Sequence, residues 1–145
     1  MQAVVSAAAG FLLAVLWFDL MFDVQARRHT DEAVESIATY YARVTRGASP
    51  MNRLVAVVML CLLGSLVAEV AGDSVTAWAA WSSLVLAVVP IALAGSTTVP
   101  AAVRIGQRTD PPDVRARATV HVLRQHVVCF VLIAAVLAIQ LLSTR

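Results

Sequence analysis

Two carboxylates in an apolar segment could take part in acid–base chemistry. Asp19 and Asp23 lie one helical turn apart, so they share one face of a helix. Near the other end of the chain Arg117, His121 and Arg124 recur at i, i+4 and i+7, again on one helix face. A carboxylate and an imidazole could exchange a proton, and an arginine could stabilise a developing negative charge.

Four apolar segments must position these side chains. The chain has 145 residues, of which 60% are hydrophobic and 14% charged, and its mean hydropathy of +0.81 indicates a bilayer as its surroundings. A spanning helix needs about 20 apolar residues, and such segments lie at about 3–22, 52–71, 75–98 and 120–142. The predicted fold class is all-α, an integral membrane four-helix bundle that residues 1–145 form as a single transmembrane domain.

Arginine determines the predicted orientation, because loops on the cytoplasmic side of membrane proteins carry an excess of basic residues. The connections at about 24–51 and 101–119 are rich in arginine, whereas the N-terminal tail and the short link between the second and third segments have none. Both connections are predicted to be cytoplasmic and both termini extracytoplasmic. All eleven basic residues are arginine, which indicates a GC-rich genome, and the predicted location is a bacterial plasma membrane.

The first connection is predicted to contain a short amphipathic cytoplasmic helix. Thr30 can cap its first turn, in which Asp31 and Glu32 suit the positive end of the helix dipole. An apolar stripe follows at helical spacing, formed by Val34, Ile37, Ala38, Tyr41 and Val44. Two roles stay open for this helix: packing over the end of the bundle, or binding a partner.

Three interpretations of the charged cluster stay open. In this topology Asp19 and Asp23 lie at the depth of Arg117, His121 and Arg124, and charges within a bilayer are expected to turn inward and pair. In the first, Asp19 pairs with Arg124, and Asp23 pairs with Arg117 or Arg28, which joins the first and last helices and fixes the register of the bundle. Alternatively the cluster lines a cavity in which a carboxylate and His121 move protons or orient a ligand. In the third interpretation Asp19, Asp23 and His121 bind a metal.

The rest of the sequence narrows the possible functions. The net charge of +2 follows from membrane orientation, so no nucleic-acid partner is expected. Cys61 and Cys129 form no CxxC pair and the sequence has no Gly-rich phosphate loop, so no cofactor is predicted. Glu69, near the outer end of the second segment, is predicted to be solvated at the membrane interface.

Short motifs at the segment ends resemble those of a known family. They are Ser49-Pro50-Met51-Asn52 before the second segment, Thr98-Val99-Pro100 after the third, and His121 with Arg124 at the entry to the fourth. With the four-span layout, they make the chain similar to the anthrone oxygenase-like family of small membrane proteins. Fungal members of that family are associated with the oxidation of anthrones by molecular oxygen, without an obvious metal or flavin cofactor. The resemblance therefore implies an aromatic substrate and an oxidation that needs neither cofactor. Its motif positions are Asn52, Thr98, Pro100, His121 and Arg124.

Two functions therefore stay open, and with them whether the chain is an enzyme. In the first, the bundle binds or oxidises a lipophilic aromatic or quinone-like molecule in a cavity at its cytoplasmic end. The candidate catalytic residues are Asp19, His121 and Arg124, and the candidate ligand-binding residues are Asp23, Asn52, Thr98 and Arg117. In the second, the chain is a non-catalytic accessory or assembly subunit of a larger membrane complex.

The partners of the chain and the interior of the bundle are predicted as well. The bilayer is a partner in both functions, and the other candidate partners are a lipophilic small molecule, a second copy of the chain and a membrane-complex partner. A cavity of about 300 Å³ or more beside the cluster favours the first function. Side chains that fill this space favour the second.

Overall fold

The computed structural model describes residues 1–45, 50–72 and 76–143, and these ranges contain helices and turns but no strand. Residues 46–49, 73–75 and 144–145 lie outside the described residues. They include Ser49 of the first motif, most of the predicted short link and the predicted first residue of the third segment. The helices are α1 (Gln2–Asp23), α2 (Asp31–Val44), α3 (Pro50–Ala71), α4 (Ala77–Leu93), α5 (Val99–Gln107) and α6 (Pro112–Leu142).

Within the described chain, four helical segments are long and apolar enough to cross a membrane. They are Gln2–Arg28, in which α1 continues as a 3₁₀ turn, then α3, then the run Ala77–Gln107 that contains α4 and α5, and finally α6. The predicted all-helical membrane bundle, with a short amphipathic helix between the first two spans, is confirmed. Its orientation and the limits of the crossing segments stay predictions.

The core of the bundle lies where the four spans meet. α1 packs against α3 and α6, and α4 packs against the same two helices, so the spans form a closed ring. Small and aliphatic side chains fill the centre, which lets the helices approach closely. The fully or almost fully buried ones are Val5, Ala9, Leu12, Leu62, Leu66, Ala87, Ile133 and Val136.

Two prolines interrupt the backbone hydrogen bonds of the third span. Pro90 and Pro100 have no N–H, so a carbonyl one turn earlier loses its helical donor in each case. A π-helical segment, Ala94–Thr98, lies between them, and within it the Ser96 hydroxyl donates to the carbonyl of Ala92 at 2.6 Å. This bond supports the backbone of the π-helical segment, through which α4 and α5 continue as one run.

Helix α2 packs across one end of the bundle, the α2 end. Its first turn is capped by Thr30, whose hydroxyl oxygen accepts a hydrogen bond from the Ala33 N–H at 3.3 Å. The apolar stripe turns inward, and four of its five predicted members are buried: Val34, Ile37, Ala38 and Tyr41. The predicted cap and the predicted buried face are both confirmed.

A close backbone approach holds α2 on α5. A Cβ atom at Gly106 would lie 2.7 Å from the amide nitrogen of Ala42, so only glycine fits there. Beside it Arg108, with a φ of 56°, donates hydrogen bonds to the Glu35 carboxylate at 2.7 Å and to the Thr39 hydroxyl at 2.9 Å. The hydrogen bond from Arg108 is the main reason that the pKa of Glu35 is lowered. These contacts set the position of the α2 tyrosines over the bundle.

Candidate functional site

The carboxylate of Asp23 is the centre of a buried hydrogen-bond network at the α2 end. Its Oδ1 accepts from the Tyr41 hydroxyl at 2.7 Å, and its Oδ2 lies 2.6 Å from Nδ1 of His126. Asp23 is fully buried, and each of its oxygens has a partner, as a buried carboxylate requires. The network joins α1, α2 and α6.

Asp19, one turn earlier on α1, accepts a hydrogen bond at one of its two carboxylate oxygens. The Tyr40 hydroxyl donates to its Oδ1 at 2.6 Å. The ring of Tyr40 stacks on Phe22, with ring centroids 4.1 Å apart and planes 9° from parallel. Because Tyr40 and Tyr41 are consecutive on α2, the end of one helix supplies hydroxyl donors to both carboxylates.

The two tyrosine hydroxyls are held in their neutral form. Burial raises the pKa of Tyr40, and the nearby charge of Asp19 raises it further. Burial likewise raises the pKa of Tyr41 well above its ordinary value, with Asp23 as the next cause. Both groups therefore act as hydrogen-bond donors to the carboxylates across the physiological pH range.

A cavity of about 440 Å³ lies next to this network. All four spans and α2 contribute to its wall, which is mostly apolar. A smaller number of polar side chains also line it, among them Asp19, Tyr40, Asn52, Thr98 and His126. An apolar chamber with a few convergent polar groups is the usual form of a binding site in proteins.

Four of the seven predicted site residues meet at this cavity. Asp19, Asn52 and Thr98 line it, and Asp23 lies directly behind His126 in the network. Thr98 comes from the π-helical segment, and its hydroxyl lies 3.0 Å from Oε1 of Gln125. The structure thus gathers these residues at one place, while their roles in binding stay predictions.

The other three predicted residues lie on the outside of α6. His121 and Arg124 are exposed, and Arg117 forms an ion pair of 2.8 Å with Asp113 on the same helix. The predicted pairs of Asp19 with Arg124 and of Asp23 with Arg117 or Arg28 are wrong, because these arginines are exposed and the carboxylates are bonded to tyrosines and a histidine. Long arginine side chains near a helix end can extend towards water, so they need no buried partner.

His126 lies beside the carboxylates, at the place that was predicted for His121 from the sequence. Five positions separate them on α6, which places them about 140° apart around an ideal helix. His126 belongs to the buried stripe of α6, together with Val122, Cys129 and Ile133 at helical spacing. No signal in the sequence marks this stripe as the buried one, because exposed positions in the same part of α6 are apolar as well.

Glu69 is also placed differently from its prediction. It is fully buried between spans at the end of the bundle opposite α2, where its Oε2 accepts a hydrogen bond from Nε2 of Gln140 at 3.0 Å. The same amide nitrogen lies 3.2 Å from the Ser83 hydroxyl. The prediction of a solvated interfacial residue is wrong, because α6 brings the Gln140 amide to this carboxyl group and α4 brings the Ser83 hydroxyl to the same amide.

The fold and the cavity define the class of this molecule: a small four-span membrane protein whose inward polar residues converge beneath a capping helix. A family model of the SHR3 chaperone type, described as ER membrane protein SH3, matches residues 1–143. The chain belongs to this family. No curated protein and no solved structure matches it.

The resemblance to the anthrone oxygenase-like family is therefore wrong. The family match covers residues 1–143 and points to a different family. The resemblance depended on four spans, a long first connection and proline-containing span ends. These features arise in unrelated four-helix membrane proteins, because the bilayer demands long apolar helices and proline commonly terminates them.

Membership of this family bears on the choice between the two predicted functions, a binding or oxidising protein and a non-catalytic accessory subunit. A chaperone designation favours the non-catalytic accessory function over the oxidising one. The family description also names the ER membrane, which conflicts with the predicted bacterial plasma membrane. The cavity passes the size threshold set for a ligand-binding protein, so cavity volume does not by itself separate an enzyme from an accessory protein.

Proposed function

We propose that this chain is a membrane chaperone that binds transmembrane segments of other membrane proteins and catalyses no reaction. The observation that carries the proposal is the match of the SHR3 chaperone family to residues 1–143. In line with the family description, the proposed location is the ER membrane. The predicted orientation would put α2 and the cavity on the cytoplasmic side.

The loose packing of α3 at the α2 end supports this proposal. From Pro50 to Cys61, the first 12 residues of α3, no residue is buried, whereas Leu62 and Leu66 further along are fully buried. The fully buried positions of α3 thus lie towards one end of the bundle, and nearer the α2 end partly buried side chains such as Val55 contact the core. A weakly packed helix end beside a cavity offers a place where a foreign helix can pack without unfolding the core.

The rim of the cavity is the second supporting feature. Phe18 on α1, Met51 on α3 and Val99 on α5 all line the cavity and are each about half exposed. They are therefore available both to the cavity and to a molecule approaching from the bilayer. Apolar side chains at such a rim would contact an incoming transmembrane helix by van der Waals packing.

Site-specific crosslinking tests the function. A photoreactive amino acid at Met51, on the cavity rim, should crosslink to newly made membrane proteins with several spans. The same probe at Val131, an exposed residue of α6 outside the cavity wall, is the matched control. Depletion of the chain should lower the folded amount of the crosslinked proteins. Equal crosslinking from both positions, or clients unaffected by depletion, would contradict the chaperone function.

The cavity itself favours a second candidate, a lipophilic small-molecule ligand. Its volume of about 440 Å³ and its mostly apolar wall suit a compact hydrophobic molecule. Native mass spectrometry of the protein released gently from its membrane distinguishes the candidates. A retained mass of a few hundred daltons would favour the ligand, and a retained polypeptide would favour the chaperone.

A further inference from the structure

The charged groups at the cavity are unevenly paired. Both oxygens of Asp23 have donors, whereas Asp19 accepts its one hydrogen bond in the described chain at Oδ1, from Tyr40. Asp19 also lines the cavity, and Asp23 is fully buried behind it. One oxygen of Asp19 is thus left to interact with whatever enters the chamber.

Positive charge at this site falls short of the negative charge. His126 is the one basic side chain in the described cavity wall, and its Nδ1 is already taken up by Asp23. With both carboxylates ionised, Asp19 and Asp23 exceed a protonated imidazole by one negative charge. An excess negative charge in apolar surroundings is costly, so a cation that entered the cavity would be stabilised.

The aromatic rings of the wall suit the same kind of occupant. Phe18, Phe22 and Tyr40 all line the cavity together with Asp19. Aromatic faces attract ammonium and guanidinium groups through their quadrupole. A carboxylate beside several aromatic rings therefore favours an organic cation over a neutral or an acidic group.

We infer that the cavity receives a lysine or arginine side chain carried by a client transmembrane segment, with Asp19 as its counter-ion. This inference rests on the proposed function. The client helix packs against the rim formed by Phe18, Met51 and Val99, and its basic side chain extends inward past the loosely packed start of α3. The aliphatic stem of such a side chain contacts the apolar wall while its charged end reaches Asp19. A basic residue exposed to lipid is costly in an unassembled membrane protein, so this contact would protect such a client.

Three synthetic peptides test the inference in micelles of an uncharged sugar-headgroup detergent that contain the protein. Each is a membrane-spanning helix of leucine and alanine with one variable residue about five positions from an end: lysine, glutamine or glutamate. Energy transfer from the tryptophans of the protein to a dansyl group on the peptide measures binding. The lysine peptide should bind at least about tenfold more tightly than the glutamine peptide, a difference of about 1.4 kcal/mol. The glutamate peptide should bind most weakly.

Variants of the protein assign the preference to Asp19. Asp19→Asn can still accept the hydrogen bond from Tyr40 but has no charge, so the lysine and glutamine peptides should bind equally. Asp19→Glu keeps the charge and should keep the preference. Asp31→Asn, at an exposed position at the start of α2, is the control and should also keep it.

Each outcome separates the inference from the proposed function. If all peptides bind equally to the unaltered protein, or if Asp19→Asn still prefers lysine, the inference is wrong while the chaperone function stands. If the lysine preference disappears when an amine-bearing phospholipid is added in excess, the site takes a lipid headgroup and not a client side chain. If no peptide binds and the crosslinking at Met51 also fails, the chaperone function itself is contradicted.

Discussion

The carboxylate of Asp23 and the imidazole of His126 lie 2.6 Å apart although 103 positions separate them in the chain. The contact joins α1 to α6, and the Tyr41 hydroxyl extends it to α2. The first span, the last span and the capping helix are therefore held together by one buried carboxylate. This arrangement makes the network a structural support for the cavity beside it.

Removal of either member of the pair should destabilise the bundle. Asp23→Ala or His126→Leu leaves the other group buried without its partner, and each should lower the free energy of unfolding by about 2 kcal/mol. The double variant should lose less than the sum of the two, because the partners are in direct contact. Denaturation in detergent micelles measures these values. Asp113→Asn with Arg117→Gln, which removes an exposed pair, should leave the stability nearly unchanged. Strict additivity at Asp23 and His126 would contradict the coupling.

The two tyrosines provide a direct optical test, because the chain contains no others. The pKa values of Tyr40 and Tyr41 are raised above the ordinary value of 10.0. The folded protein should therefore show almost no tyrosinate absorbance at about pH 10, at which half of an unfolded control is ionised. Because the folded state favours the neutral hydroxyls, the two tyrosines contribute to the stability of the fold. This contribution is present below about pH 10 and is lost as the pH rises through the pKa values of the folded protein.

Asp19→Asn refines the tyrosine experiment. The charge of Asp19 is the second cause of the raised pKa of Tyr40, after burial. Its removal should shift part of the tyrosinate titration to lower pH without unfolding the protein. Ionisation of both tyrosines near pH 10 in the unaltered protein would show that their hydroxyls are not bonded to the carboxylates.

Gly106→Ala should displace α2. The added methyl group would lie 2.7 Å from the backbone of Ala42, and since a backbone atom cannot rotate away, the helix must shift. The expected cost is about 1 to 3 kcal/mol, which is typical of overpacking. Gly64→Ala is the matched control, because open space surrounds that position on α3 and alanine favours helix. Similar melting temperatures for the two variants in detergent would contradict the close approach of α2 and α5.

The contact between Glu69 and Gln140, at the end of the bundle opposite α2, predicts how variants at position 69 rank in stability. Oε1 of Glu69 and Oε1 of Gln140 are both buried and have no hydrogen-bond partner among the described residues. In Glu69→Gln the new amide can donate to Gln140 while it accepts from it, so this variant should be at least as stable as the unaltered protein. Glu69→Leu removes the carboxylate acceptor of the Gln140 amide, which keeps its contact with the Ser83 hydroxyl, and should cost about 1 to 3 kcal/mol. Equal melting temperatures for the two variants would contradict the contact.

Local signals in the sequence predict much of this fold correctly. The cap at Thr30 and the buried stripe of α2 follow from residue types and spacing within one helix, and both are found. The four spans follow from segment length and hydropathy, because a bilayer accepts little else. These features depend on neighbours in the chain, so sequence reasoning is sufficient for them.

The identity of the site residues depends on how each helix is rotated, and rotation is weakly specified in a membrane protein. Lipid-facing and core-facing positions are both apolar, so hydropathy does not mark the inner face of a span. On α6 the charged face with His121 and Arg124 turns outward, and His126 turns inward. Contacts with α1 and α2 determine this rotation. They cannot be predicted from the sequence of α6 alone.

The amino-acid sequence by itself determined that this chain is a four-span helical membrane protein with an amphipathic helix after its first span. It also determined that Asp19 and Asp23 share a helix face. The tertiary structure alone decided their partners, which are tyrosines and a histidine and not arginines. It also decided that Glu69 is buried and that a cavity of about 440 Å³ lies under α2. The physical reason is that hydrogen bonds between distant helices depend on their packing, while helix formation depends on local sequence and the bilayer.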